Sequence, residues 1–138
     1  MSTVSNLIAS MSLPVIAAPM FTVSNPNLAL ATCAQGMMGS FPAHTTRSGE
    51  ELEDWLIAMA EGIVKLAREG AEKVGPYGVN LVVSAGNQRM DQDLDLCIKH
   101  EVPIILTSKG APGEVFDAVH AYGCLLYTSD AADDTPCV

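Results

Sequence analysis

Apolar residues along the chain fall into short continuous runs, separated by longer stretches in which they recur every three or four positions. The first run, Leu13-Pro14-Val15-Ile16-Ala17, is apolar on both faces, which predicts a strand of a parallel sheet buried on both sides. It stops on Ala18-Pro19-Met20, a backbone poor in side chains that a planar ligand could approach closely. Before it, Met1 to Ser12 is small and polar, with one apolar patch compatible with a short helical turn. After it, Ser24-Asn25-Pro26 supplies a cap and a first-turn proline for a small apolar helix through Leu28, Leu30, Ala31 and Ala34, ended by Gly36.

The alternation then repeats. Met37 to Phe41 reads as a second strand, broken at Pro42 into a polar loop, Ala43 to Arg47. Ser48 opens a long helix: Ser48 and Glu51 have capping-box spacing, acids crowd the first turn, and Lys65 and Arg68 lie near the far end. Leu52, Trp55, Leu56, Met59, Ile63 and Leu66 form one apolar stripe, which makes Trp55 a core residue rather than a ligand platform. Gly75-Pro76-Tyr77-Gly78 breaks the chain before a third strand, Val79 to Val83. Asn80 inside it needs a partner, because burying an amide without hydrogen bonds costs a few kcal/mol; neighbouring backbone or a polar ligand would serve. Asn87 can cap the next helix, with Met90, Leu94, Cys97 and Ile98 inward. Ile104 to Thr107 is the fourth strand, stopping at Ser108-Lys109-Gly110, and Pro112 to Tyr122 reads as a helix with Val115, Phe116 and Val119 inward.

Strand then helix, four times over, predicts an α/β fold with right-handed crossovers and a parallel sheet. A doubly wound sheet would show a glycine-rich phosphate turn after its first strand, and none follows Val15 to Ala17. The competing architecture is the N-terminal half, about four βα units, of a TIM (β/α)8 barrel, whose ligand contacts come from the C-terminal ends of successive strands. Those ends are Ala18 to Met20, Gly39 to Phe41, Asn80 to Ser84, and Thr107 to Lys109.

Composition changes the picture mainly by exclusion. The chain has 138 residues, 49% of them hydrophobic, enough for the core of one domain. Sixteen acids against seven bases give a net charge of -9, which argues against nucleic acid or an anionic membrane as partner. No run spans a bilayer and the N-terminus has no signal-peptide pattern, so a cytoplasmic location is expected. Cys33, Cys97, Cys124 and Cys137 have no metal-ligand spacing and no disulfide pattern; Cys33 and Cys97 fall on apolar helix positions, as buried thiols do.

Pro14 to Met20, Arg47 to Leu56, Pro76 to Leu81, Val102 to Gly110 and Val119 to Gly123 together resemble the nitronate monooxygenase (2-nitropropane dioxygenase) family, over roughly residues 13 to 123. The resemblance implies an FMN-dependent (β/α)8 oxidoreductase that converts alkyl nitronates, with O2, to carbonyl compounds and nitrite. It implies that Ala18, Pro19 and Met20 lie against the flavin ring and that Asn80 reaches its polar edge. Lys109 would lie close to the flavin, against the alternative of a solvated surface lysine. No catalytic residue is assigned, because the family's histidine follows a fifth strand that the resemblance does not reach. His100 and His120 read as structural or exposed, and His44 as a loop residue on the ligand-facing side. The flavin-dependent enoyl-acyl-carrier-protein reductases, related FMN barrels with similar early strands, are the enzymatic alternative. A non-catalytic half-barrel that binds a partner through its exposed face is the other. A half-barrel alone exposes two sheet edges, so self-association is expected and activity is not.

Residues 1–123 thus form the domain, and 124–138 read differently. Cys124 to Asp133 is similar to the translation of a transposon-end adapter from DNA library preparation, TGT CTC TTA TAC ACA TCT GAC GCT GCC GAC. The expectation is a reading frame truncated and extended through adapter; the competing reading is a genuine strand, Leu125 to Thr128, with an acidic tail. Without Asp130, Asp133 and Asp134 the acids fall from 16 to 13 and the charge from -9 to -6, so the exclusion of polyanionic partners stands. The nucleotide record tests this: adapter bases are expected to begin at the codon for Cys124, and codons matching no adapter would make the tail native.

Overall fold

A computed structural model of the protein describes residues 3–110, 113–121 and 123–128. The N-terminal patch is a full helix, α1 (Thr3–Ser10), held at its C-terminal end by the Lys73 ammonium, which donates to the carbonyls of Ala9 and Met11 at 3.1 Å each. The expected first strand is reduced to one parallel bridge, Ile16 to Met38, with Ala17 N–H on Met38 O at 2.9 Å and Met38 N–H on Val15 O at 3.0 Å. Nor is it buried: Val15 is 48% exposed and Ile16 40%. Prolines 14 and 19 flank the segment and remove donors, and no described strand lies on its other side, so it is an edge rather than the centre of a sheet.

Helix α2 (Pro26–Ala34) starts as its sequence predicts, with Asn25 accepting from Leu28 N–H at 3.1 Å and Pro26 in the first turn. Its buried face, however, is Ala29 and Cys33; Leu28 and Ala31 are exposed. Small residues win here because α2 lies directly on the next strand. A Cβ on Gly39 would sit 2.2 Å from the carbonyl oxygen of Ala29. Gly36, in the left-handed region at φ +73°, ends the helix.

Strand β1 (Gly39–Pro42) passes through a single 3-10 turn, Ala43–Thr45, into α3 (Gly49–Arg68). Ser48 caps α3 through Glu51 N–H at 3.3 Å, and Glu51 reaches back to Arg47 N–H at 2.6 Å. Leu52, Leu56 and Met59 are buried, and Trp55 packs edge-on against Phe41 with ring centroids 5.4 Å apart, the core role expected of it. There follow β2 (Tyr77–Val82), α4 (Met90–Lys99), β3 (Ile104–Ser108), α5 (Gly113–His120) and β4 (Leu125–Thr128). Val115 and Val119 are buried as expected, while the side chain of Phe116 lies outside the described residues.

The four strands are parallel and stand in the order β1-β2-β3-β4. That order decides between the two architectures. A doubly wound sheet reverses strand order at a switch point, whereas successive strands of a barrel are successive neighbours. One face, through Phe41, Val79, Leu81 and Ile105, packs on helices α2 to α5. On the other, Met38, Ile104 and Leu106 meet Met11, with Leu7 of α1 packed against them. Residues 125–128, where the sequence reading closed the domain at 123, form β4. Leu125, Leu126, Tyr127 and Thr128 have the strand propensity to pair with an open edge, whatever their origin.

Cys33 and Cys97 are fully buried, and burial pushes both thiols up, in Cys33 against the lowering effect of backbone hydrogen bonds at Gly39 and at its own residue; the Cys33 thiol donates to Pro76 O at 3.2 Å. His100 lies 3.0 Å from Glu53, which also takes Lys99 at 2.6 Å, so these side chains tie α4 to α3. Hydrogen bonds from Lys99 and then His100 hold the Glu53 carboxyl below its ordinary range. No helix among the described residues is long and apolar enough to cross a membrane. Gly39→Ala should cost about 1–3 kcal/mol, as overpacking against backbone does. A urea midpoint equal to that of the parent would mean that α2 can withdraw from β1.

Candidate functional site

Because the strands are parallel, Pro42, Val82 and Ser108 end on one face of the molecule. The segment at 15–17 runs parallel to β1, so Ala18, Pro19 and Met20 emerge there too. They form a locked turn. Ser40 Oγ donates to Ala17 O; Met20 N–H donates to Ser24 Oγ at 2.9 Å, and Met20 O accepts from the N–H groups of Val23 at 3.2 Å and Ser24 at 2.9 Å. Thr22 sits in the left-handed region at φ +64°, which closes the turn. Ala18 and Met20 are exposed and Pro19 half-buried, leaving a rigid ledge of backbone and small side chains.

Asn80 is 8% exposed on β2, on the face away from the helices. Its Nδ2 donates to Leu106 O at 3.2 Å and Ser108 Oγ at 3.1 Å, which meets the cost of burying its donors. Among the described residues its Oδ1 has only a long contact from Ser108 Oγ, at 3.4 Å, and so keeps acceptor capacity. Lys109 follows β3, exposed and in the left-handed region at φ +61°. Beside it, a Cβ on Gly110 would stand 2.6 Å from Val83 O, so the chain here runs tightly against the preceding loop. The five residues singled out from the sequence therefore share one end of the sheet, with Asn80 bonded inside it and Lys109 free of the core.

A planar, polar-edged group such as FMN matches the chemistry of this end: a small-residue ledge, a buried amide with a spare acceptor, and an exposed cation. At the opposite end, an almost wholly apolar cavity of about 240 Å³ lies between α1 and the sheet, lined by Leu7, Met11, Ile16, Met38, Ile104 and Leu125. It offers little to orient a polar ligand.

One cluster at the C-terminal end of the strands escaped the sequence reading. Asn87 does not cap α4 directly; its Nδ2 holds Val82 O at 2.8 Å, and Arg89 takes the cap position. The Arg89 guanidinium donates to Thr46 O at 2.6 Å, to Thr46 Oγ1 at 3.1 Å and to Asp93 Oδ1 at 2.8 Å. Asp93 is 1% exposed, and burial raises its carboxyl above the ordinary range despite the Arg89 bond that opposes this. The signal was present: Arg89 and Asp93 are four apart, and Asp93 falls on the apolar stripe of Met90, Leu94 and Cys97. Thr46 in turn bonds Ala43 O through both N–H, at 3.1 Å, and Oγ1, at 2.7 Å, so Arg89 grips the turn that carries His44. The His44 ring lies 6.3 Å from that of Phe21, next to the ledge.

No protein-family profile and no curated protein matches the sequence. Solved structures do. FabK from Thermotoga maritima superposes with TM-score 0.71 at 20% identity, over 93% of this chain and 37% of that one. The enoyl reductase domain of MlnA, from the macrolactin biosynthesis cluster of Bacillus amyloliquefaciens, gives TM-score 0.63 at 24% identity, over 79% of this chain and 23% of that one. At these identities the likeness establishes fold: an α/β chain carrying part of a (β/α)8 barrel, spanning well under half the length of either structure.

Arg89→Leu strands the buried Asp93 carboxylate and should cost about 3–5 kcal/mol near neutral pH. Asp93 then rises further above its unfolded value of about 4. The folded state holds a proton that the unfolded chain releases, so the penalty is full above the folded pKa and vanishes below the unfolded one. Urea midpoints at neutral and acidic pH should therefore converge between variant and parent as pH falls; a constant gap would refute this account.

Proposed function

We propose that the chain is part of an FMN-dependent oxidoreductase barrel whose whole protein oxidises alkyl nitronates with O2 to carbonyl compounds and nitrite. The observation that carries this reading is the placement of the Ala18-Pro19-Met20 ledge, Asn80 and Lys109 at the same, C-terminal end of neighbouring parallel strands. It is supported by the family resemblance over residues 13 to 123 and by the barrel fold. FMN, when bound, supplies the redox chemistry. The chain's residues place it: Ala18, Pro19 and Met20 carry the ring, Asn80 offers an acceptor to its polar edge, and Lys109 supplies positive charge.

An enoyl reductase is the second reading, and the name of the Bacillus amyloliquefaciens structure favours it. On a full-length homologue, nitrite release from a nitronate supports the first reading, and NADH consumption with an enoyl thioester the second. A non-catalytic half-barrel would instead give a stable, stoichiometric complex with a partner, indifferent to FMN.

The chain by itself is read as inactive, without nucleic acid or membrane as partner, and prone to self-association through the edge at Val15 and Ile16 and the exposed Tyr127 of β4. The run 124–138 is read as the adapter-derived extension. Purified protein mixed with FMN should elute as oligomers without stoichiometric flavin. A clean monomer carrying one FMN would overturn this expectation.

A further inference from the structure

We infer that Arg89 is a positioning residue for the ligand-facing end: it fixes the turn between β1 and α3 and thereby holds His44 against Phe21, at the rim of the 18–20 ledge. This rests on the reading of that end as the flavin site and deepens it by assigning the site a second wall.

The geometry for it is specific. Three guanidinium bonds leave from two nitrogens, two to Thr46 and one to Asp93. Thr46 closes the 3-10 turn through its own N–H and hydroxyl on Ala43 O. Ala43 and Thr46 are buried on either side of an exposed His44, so the backbone that bears His44 is fixed while its ring stays accessible. Asp93 anchors Arg89 from below, within the first turn of α4, and the planar fork fits this task as a lysine would not. The grip thus runs from α4, after β2, to the loop after β1, so two neighbouring strand ends are tied together at the face where Phe21 and the ledge also lie. A merely stabilising ion pair would need no contact with Thr46.

The test uses the full chain with isotope-labelled histidine and reads the His44 ring signals by NMR, with Phe21→Leu marking their position when the Phe21 ring current is absent. Arg89→Lys keeps the charge beside Asp93 but cannot span both partners. Its His44 signals should move to, or beyond, those of Phe21→Leu, while those of His100, at the opposite end of α4, stay in place. Thr46→Val removes the hydroxyl from the other end of the grip and should shift His44 in the same direction, which serves if Arg89→Lys fails to fold. His44 signals unchanged from the parent in a folded variant of either kind would overturn the positioning role. Failure of a full-length homologue to bind FMN would sink the flavin reading while leaving the His44 result intact.

Discussion

Strand β2 is the constraint on which the rest depends. It is hydrogen-bonded in register on both sides, Gly39 to Pro42 on one and Ile104 to Ser108 on the other. Its alternate residues serve two ends: Val79 and Leu81 enter the helix-side core, while Gly78 and Asn80 face the opposite way. A Cβ at Gly78 would meet Met38 Cε at 2.4 Å and Leu106 Cδ1 at 2.6 Å, so that face packs over bare backbone. Two residues further along, the same face turns polar. Asn80, Ser108 and Ser40 make the transition, each with a partner in the protein.

The polar end is held by interactions whose net contribution to stability is small. A buried ion pair such as Arg89 and Asp93 returns in attraction roughly what its desolvation costs, and an apolar replacement of both is often no less stable. What it provides is geometry. Three bonds from one planar group admit few arrangements of the turn at 43–45, and the bonds that close the turn at Met20 admit few arrangements of the ledge. The apolar end, around Met11 and Met38, is filled by side-chain packing, with Lys73 bonding the main-chain carbonyls of Ala9 and Met11 at its margin.

Much of the fold was legible because its signals are local. The Asn25 and Ser48 caps, the stripe from Leu52 to Met59 and the strand runs at 79–82 and 104–107 each stand where the pattern puts them. What was not legible depends on neighbours. Val15 to Ala17 looks like a central strand, but burial is decided by what lies on either side, and among the described residues it pairs through a single bridge, to Met38. Helix α2 turns Ala29 rather than Leu28 inward because Gly39 lets two backbones approach. At the candidate site, the strand ends identified Ala18 to Met20, Asn80 and Lys109, since parallel pairing brings such ends together. Arg89 was missed because its partners Thr46 and Asp93 lie on different elements, and only Asp93 on an apolar stripe hinted at them.

The consecutive strand order has a consequence for how the chain acquires its structure. Each strand pairs only with the units immediately before and after it, so every closure spans a single βα unit and costs little loop entropy. Units can therefore dock one at a time as synthesis proceeds from the N-terminus. Ile16 emerges first, and its bridge to Met38 must wait until the residues of α2 and then Met38 have followed, which makes the ledge an early sequence feature but a later structural one.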